Sequence, residues 1–436
     1  MLNLAERSRT VAAQLPLVLR RPLAPGSLVS TAALVFVGNV VARALAFLFP
    51  LVLTRAMGRD DFAAVYFFIS TGFFASQLVM TGYPTAMTRF VASGGAVDEK
   101  GAWVVSGMLA GLPLLLVSIV FGEALARVAD ARSFLMTVII LGVSIDAYYF
   151  SLLRGVQRFR LLAVYRVAAN LTQIILVLLA MATGSVTITL AVTIYGLVYL
   201  IPIAAIEATI GPLAKLVRVA RPPSFNRIVV LTRFAAPSLV SGAAWGAIFG
   251  LDVFFVRVLA PQALADYSAA RVLAIPMLLI PFAIDVVLLP RVAAATESER
   301  MRLLRQALAV AGAAAVIAVV AYAALGPVLV EFLLPTAYRG AADSVVVLAP
   351  ALALLGLYSI LNDWWMGLGK PMAPASSLVA GALVAAAMHF LITSRYGAVG
   401  AALAVGSGAL AAMVVLGSQT ARLARQPGRE PTVEAT

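Results

Sequence analysis

Apolar positions fill the chain in long unbroken runs, and polar positions collect in the short gaps between them. About twelve runs are legible, with limits near 28–54, 62–87, 102–126, 133–153, 161–182, 187–210, 232–256, 266–290, 304–325, 342–366, 372–393 and 399–420. Each is close to the ~20 residues that cross a hydrocarbon core of about 30 Å. Backbone in lipid must satisfy its own hydrogen bonds, and the runs are continuous rather than alternating. That excludes a porin-type barrel, so the pattern predicts an all-α polytopic membrane protein.

The first run, Leu28 to Arg55, is the one around which the others are read. Its apolar stretches Ala32–Val37 and Leu45–Leu53 flank Arg43, with Asn39 one turn earlier on the same face. A guanidinium unpaired at that depth costs from ~2.5 to over 10 kcal/mol. Arg43 is therefore expected either to snorkel or pair with a structural carboxylate, or to line a cavity as a cationic group.

Composition fits this pattern. The chain has 436 residues, 62% of them hydrophobic, with a mean hydropathy of +1.01; soluble domains sit near about 45–50% apolar. The net charge of +13 would suit a nucleic-acid binder, but the basic residues punctuate the gaps between helices, as membrane topology requires. There is no cysteine, hence no disulfide or thiolate metal site, and the single histidine, His389, cannot build a His-based metal site alone; no cofactor is expected. At the N-terminus, apolar residues such as Val11 and Leu15 mix with Arg7, Arg9, Arg20 and Arg21, without a cleavable signal pattern. That mixture predicts a short helix in the anionic inner interface, broken at Pro22, Pro25 and Gly26.

An even number of spans puts both termini on one side. With that side inside, 23 of the 32 basic residues are inside and 7 outside, leaving Arg43 and Arg271 within spans; both termini are thus expected to be cytoplasmic. The longest break carries Lys215, Arg218, Arg221, Pro222 and Pro223 and falls near the midpoint. The expected organisation is an interfacial segment 1–27, a six-helix bundle 28–210, a basic cytoplasmic linker 211–231, a second bundle 232–420 and a cytoplasmic tail 421–436. Two echoes support a duplication. Ser27-Leu28-Val29-Ser30 recurs as Ser238-Leu239-Val240-Ser241, where each is expected to open the first span of its half. Gly155-Val156-Gln157-Arg158 is echoed by Gly367-Leu368-Gly369-Lys370, each closing a fourth span. Halves with an even number of spans are parallel repeats, and such transporters place substrate between them. Gly242, Gly246 and Gly250 give the seventh span two small-xxx-small steps, which admit a close neighbour.

Four further segments carry a family resemblance. Leu53-Thr54-Arg55-Ala56-Met57-Gly58-Arg59-Asp60-Asp61-Phe62 resembles the L-A-R-x-L-G-x-x-x-F turn after the first span of polysaccharide exporters, and Arg154-Gly155-Val156-Gln157-Arg158-Phe159 is similar to their R-G-x-x-R-F turn. Gly82-Tyr83-Pro84 with Arg89 resembles the end of their second span, and Tyr396-Gly397-Ala398-Val399-Gly400-Ala401-Ala402 the start of their last. The family is the O-antigen and polysaccharide lipid-linked oligosaccharide flippases of the multidrug/oligosaccharidyl-lipid/polysaccharide exporter superfamily. The resemblance implies two parallel six-helix repeats forming a V around a central cavity, in a bacterial inner membrane, with a polyprenyl-diphosphate-linked oligosaccharide as substrate. Membrane lipids and polysaccharide-assembly proteins such as the polymerase are the partners it implies. Arg43, twelve residues before Arg55, also resembles the S-R-x-L-G-F-x-R-D opening of murein lipid flippases. Ala42, Ala46 and Phe49-Pro50 depart from that pattern, and that branch carries fourteen spans.

A diphosphate needs cations, so Arg43 is the first candidate and Arg271, which sits nearer the outer surface and can snorkel, the second. Asn39, Gln77 and Thr81 are candidates for hydrogen bonds to substrate, and Trp245 for an aromatic face. Asp146, Asp252, Asp285 and Asp363 are the candidates for ion coupling, with Glu207 beside them. Asp146 lies deepest and could equally pair with Arg43. Trp364 and Trp365 suit the inner interfacial belt. Catalysis finds no support: Gly367-Leu368-Gly369-Lys370-Pro371 lacks the length and Ser/Thr of a nucleotide-binding loop, and the outer loops are too short for a polymerase or ligase. An ion-coupled drug exporter predicts a cavity dominated by carboxylates instead of Arg43.

Overall fold

The computed structural model describes residues 27–92 and 95–425; the expected N-terminal interfacial helix and the end of the tail lie outside these. Among the described residues the chain is helical, with no β-strand. The first half comprises α1 (Ser27–Ala56), α2 (Arg59–Met80), α3 (Gly82–Ala92), α4 (Val97–Val128), α5 (Phe134–Gly155), α6 (Phe159–Ala182), α7 (Ile188–Leu197), α8 (Leu200–Thr209) and α9 (Pro212–Val219). The second comprises α10 (Phe225–Phe249), α11 (Asp252–Leu259), α12 (Leu264–Ala274), α13 (Leu279–Ala294), α14 (Glu297–Leu333), α15 (Ala342–Gly367), α16 (Met372–Met388) and α17 (Ser394–Ala424). Ten stretches are long and apolar enough to cross a membrane. The last, Met372–Ala424, has 53 residues and holds two crossings, because the chain turns at Gly397 (φ 54°, ψ −128°). With the 30 residues of α1, the described residues hold helices for twelve crossings by length and composition.

Breaks fall where the sequence places breakers. The second span is interrupted at Thr81, just before Gly82-Tyr83-Pro84. The eighth passes through a 3₁₀ turn, Ile275–Leu278, that contains Pro276. Proline removes a backbone donor and clashes with the preceding turn, and neighbouring protein makes that tolerable within a bilayer.

Repetition of the halves is visible in the backbone. After α5, the amides of Val156, Gln157 and Arg158 donate to the carbonyls of Leu152, Arg154 and Leu153; after α15, Leu368, Gly369 and Lys370 donate to Trp364, Met366 and Trp365. Every member of the second set stands 212 positions after its counterpart. The turn needs a left-handed residue, Gln157 (φ 57°) in one half and Gly369 (φ 73°) in the other. A Cβ on Gly155 would lie 3.0 Å from Val91, and one on Gly367 2.8 Å from Val292, so each fourth span packs against the end of its own second span. The other echo does not mark helix starts. α10 begins at Phe225, ahead of the expected 232, and Ser238 is well inside it. The expected linker is likewise structured: α9 packs on the first turn of α4, where Gly101 leaves room for the Leu216 carbonyl, and Arg221 pairs with Asp98 at 2.6 Å.

The halves meet chiefly along α10, which packs on α2 and α3. Cβ atoms on Gly242 and Gly246 would fall 2.0 Å from Thr81 and 2.6 Å from Gln77. The small-xxx-small steps are therefore where the two helices touch, consistent with how small residues act in membranes.

For description, the side carrying the α5–α6, α13–α14 and α15–α16 turns is called the basic face. On the opposite face the halves are tied together. Arg59 pairs with Asp266 at 2.6 Å. Arg257 donates to the carbonyls of Ala129 (2.8 Å) and Asp130 (3.2 Å), and Phe62 meets Tyr338 edge to face at 5.7 Å. Deeper in, Arg271 pairs with Asp252 at 2.8 Å and also donates to Ser70 Oγ and the Phe249 carbonyl. Trp364 and Trp365 are buried, not in an interfacial belt. Their indole N–H groups donate to the Arg300 carbonyl (3.0 Å) and Thr420 Oγ1 (2.9 Å), the partners buried indoles require.

Candidate functional site

Between the halves lies a cavity of about 300 Å³ that extends to the basic face. α2 and α3 supply Gln77, Thr81 and Thr85 to its wall, and α5 supplies Arg154. From the second half come Ser238, Ser241 and Trp245 of α10, Phe282 and Asp285 of α13, and Tyr358, Asn362 and Asp363 of α15. Residues at i, i+4 and i+8 share a helix face, and the break at Thr81 does not interrupt the Gln77, Thr81, Thr85 stripe.

Arg43 reaches the cavity through Phe282. Its guanidinium carbon stands 4.6 Å from the centre of that ring, a cation–π contact, and it has no ion pair among the described residues. Trp245 lies 6.3 Å from Phe282 and 6.4 Å from Tyr358, ring centre to ring centre, giving the second half an aromatic shelf beside Arg43. Below the shelf are two carboxylates. Asp363 accepts from Asn362 Nδ2 at 2.9 Å, and Asp285 keeps a buried oxygen with no hydrogen-bond partner. Each carboxylate lies in the field of an arginine from the other half, Asp285 of Arg43 and Asp363 of Arg154. Charge is thus divided across the cavity: the first half brings the cations, the second the anions.

Of the residues singled out from sequence, Gln77, Thr81, Trp245, Asp285 and Asp363 line this cavity, while Arg43 does not line it and stands behind Phe282, which does. The backbone of Asn39 is in α1; its side chain lies outside the described residues. Arg271 and Asp252 do not reach this cavity. They form the buried pair described above, with Tyr267 Oη donating to Asp252 at 2.6 Å, and Arg271 is 3% exposed, so it does not snorkel. Asp146 pairs with Arg166 at 2.9 Å and accepts from Tyr165 Oη at 2.5 Å; its partner is Arg166, not Arg43. Glu207 accepts the amides of Leu213 (3.0 Å) and Ala214 (3.1 Å) at the start of α9, a capping role. Arg154, Phe282, Tyr358 and Asn362 were not singled out. Arg154 sits in the R-G-x-x-R-F turn and counts equally well as a topology charge, and nothing in a lone Phe or Tyr distinguishes cavity from core.

A family model described as polysaccharide biosynthesis protein matches residues 28–296. No curated protein matches the sequence. Among solved structures, lipid II flippase MurJ in an inward closed conformation superposes with a TM-score of 0.67 at 14% identity, over 89% of this chain and 87% of that one. A multidrug resistance MATE family transporter of the MOP superfamily, inward-facing, superposes at 0.65 with 15% identity, over 91% and 94%. A MOP superfamily transporter from Pyrococcus furiosus does so at 0.62 with 13% identity, over 90% and 95%. At such identities the likeness is one of fold.

Proposed function

The chain belongs to the polysaccharide biosynthesis protein family, and on that premise we propose that it is a flippase for polyprenyl-diphosphate-linked oligosaccharide. In this reading it serves cell-surface polysaccharide synthesis (O-antigen, capsule or exopolysaccharide) in a bacterial inner membrane, with both termini cytoplasmic and the basic face inward. It works by alternating access and catalyses no bond cleavage, so it is not an enzyme. The observation that carries the reading is Arg43: a guanidinium in the middle of a long apolar helix, without an ion pair among the described residues, beside a cavity that extends to the basic face and whose far wall is aromatic and polar. The diphosphate docks on Arg43 and Arg154. The sugars lie against Trp245 and Tyr358 and the hydrogen-bonding groups of Gln77, Thr81 and Asn362. Binding draws the arginines from Asp285 and Asp363, which leaves those carboxylates to take a proton or cation and couples transport to an ion gradient. The fold shared with a lipid II flippase supports a lipid-linked cargo. A drug exporter with a cavity dominated by carboxylates fits less well, because arginines from one half face the acidic pair.

Substitution of Arg43 in a strain lacking the natural copy tests this. Charge-assisted hydrogen bonds to phosphate are worth about 1.5–3 kcal/mol. Arg43→Ala is expected to abolish flipping at normal protein level, with chemically complete lipid-linked oligosaccharide accumulating on the inner leaflet. Arg43→Lys keeps the charge but loses the planar fork and should retain part of the activity. Normal flipping by Arg43→Ala would remove Arg43 from transport. Shortened or unpolymerised glycan on the outer leaflet would point to polymerisation instead.

A further inference from the structure

Among the described residues, the wall of the central cavity holds one cation, Arg154, and two carboxylates, Asp285 and Asp363. Arg43 adjoins it behind Phe282. Both guanidiniums belong to the first half, and each carboxylate lies in the field of one of them. A diphosphate esterified at both ends carries one negative charge on each phosphate. Docked on Arg43 and Arg154, it takes up both positive charges and leaves none over.

What remains on the wall is either uncharged or acidic. Gln77 is 3% exposed, yet its side-chain amide makes no hydrogen bond among the described residues. Buried polar groups are normally bonded, and an amide can both donate and accept. Gln77 is held where the halves meet: a Cβ on Gly246 of α10 would lie 2.6 Å from its Cγ. Across that seam the Trp245 indole N–H is likewise unbonded among the described residues. Asn362 spends its Nδ2 on Asp363 at 2.9 Å and keeps its Oδ1. Neutral donors and acceptors thus stand unspent around an aromatic ring, as a sugar's hydroxyls and C–H face require. At about 300 Å³ the cavity is at the small end of ligand pockets. It has room for the diphosphate and its first sugar, not for a whole oligosaccharide.

We infer that the sugar read by this site, the one next to the diphosphate, carries no carboxylate. An acidic sugar would bring a further negative charge to a wall whose cations are already taken, next to Asp285 and Asp363. The exclusion holds even where those carboxylates take a proton or cation, because their neutralisation removes a repulsion without adding an attraction. A neutral sugar meets groups that have no other partner. The inference rests on the lipid-diphosphate reading and narrows it to a class of cargo.

The test compares two synthetic polyprenyl diphosphates that differ in one group: the glucose ester, with a hydroxymethyl group on its ring, and the glucuronic acid ester, with a carboxylate in its place. Polyprenyl diphosphate capped by a methyl group has the same charge as the glucose ester and no sugar, and is the third ligand. Each competes with a fluorescent polyprenyl diphosphate for the full chain in nanodiscs of phosphatidylcholine. Wild type should bind the glucose ester about tenfold more tightly than the glucuronate, as one like charge at about 10 Å in an effective dielectric of about 20 provides. Asp285→Asn with Asp363→Asn should largely close the gap, chiefly by tighter binding of the glucuronate. Gln77→Leu should weaken the glucose ester severalfold and leave the methyl-capped ligand unchanged. Equal or tighter binding of the glucuronate by wild type overturns the inference, as does a gap left intact by the double change. If the double variant fails to fold, the wild-type comparison decides alone. Binding of the methyl-capped ligand without discrimination between the sugars overturns this inference and leaves the lipid-diphosphate reading standing. Binding of none of the three overturns that reading, and this inference with it.

Discussion

Gly242→Ala adds one methyl group at the line where the two halves touch. The new Cβ would fall 2.0 Å from Thr81 Oγ1 and 2.6 Å from both Thr81 Cβ and Cγ2. Thr81 cannot swing aside easily, because it is β-branched and its hydroxyl donates to the Gln77 carbonyl at 2.8 Å. Carbon atoms pack best at about 3.5–4.0 Å, so α10 and the second span must separate by roughly 1 Å. Overpacking of this kind costs about 1–3 kcal/mol, which for a long chain lowers the unfolding midpoint by roughly 2–6 °C. The assay is thermal unfolding in detergent, with Gly312→Ala as the control. Gly312 is on the lipid-facing α14 with nothing within 4 Å of its Cβ position. There alanine removes only glycine's helix penalty of about 1 kcal/mol, and the midpoint should hold or rise. A double-mutant cycle completes the argument: Gly242→Ala with Thr81→Gly should show a favourable coupling of about 1 kcal/mol or more. A wild-type midpoint for Gly242→Ala, or a cycle with no coupling, would refute the packing argument.

The ties on the face opposite the basic one should set how often that face opens. The Arg59–Asp266 pair has side chains 38% and 18% exposed, and such pairs are worth about 0.2–1 kcal/mol. Arg59→Ala should therefore raise labelling of a cysteine at buried Thr71 by an impermeant maleimide up to about fivefold; no change even with Arg257→Ala added would show that these ties do not hold the face closed. For Asp146, removing one partner of a buried pair costs about 3–5 kcal/mol, less here because Arg166 is 24% exposed. Asp146→Ala should lower protein abundance, and Arg166→Met in the same chain should restore it, whereas Arg43→Ala should not. Restoration by Arg43→Ala would mean that Asp146 serves Arg43 after all.

The fold was legible because lipid leaves the backbone few choices. Run length gives the crossings, and the Gly155 and Gly367 turns give the repeat. The site was legible only in part. Arg43 stood out because a charge amid apolar sequence must be explained, and the same logic flagged all four aspartates. Which charge meets which is a property of helix packing that spacing along one chain cannot supply. Asp146 and Arg43 are on different helices with Arg166 on a third, and it is α6 that brings Arg166 to Asp146. Arg271 and Asp252 failed as cavity residues for a related reason. Their depth suits a cavity, but a buried pair satisfies both charges, and it forms where α11 and α12 meet the second span. Trp364 and Trp365 were assigned to an interface because tryptophan is enriched there; a buried indole with a partner for its N–H breaks no rule.

The repeats also show where sequence echoes stop being informative. Packing positions are shared between the halves: Gly155 with Gly367, and the left-handed turn at Gln157 with that at Gly369. Chemical positions are not. Shifted by the same 212 places, Arg154 corresponds to Met366 and Asp363 to Ser151, and both Arg154 and Met366 line the central cavity. Two copies of one architecture therefore face each other with unlike walls. A symmetric pair of cationic walls would hold an anionic ligand equally from both sides and leave the carboxylates nowhere to act. With cations on one side and carboxylates on the other, the phosphate of the proposed substrate would dock on one half only, and its arrival would remove the counter-charge of the other half. That makes the occupied and empty cavities electrostatically different on both sides, which is what a ligand must do to bias one arrangement of the halves over another.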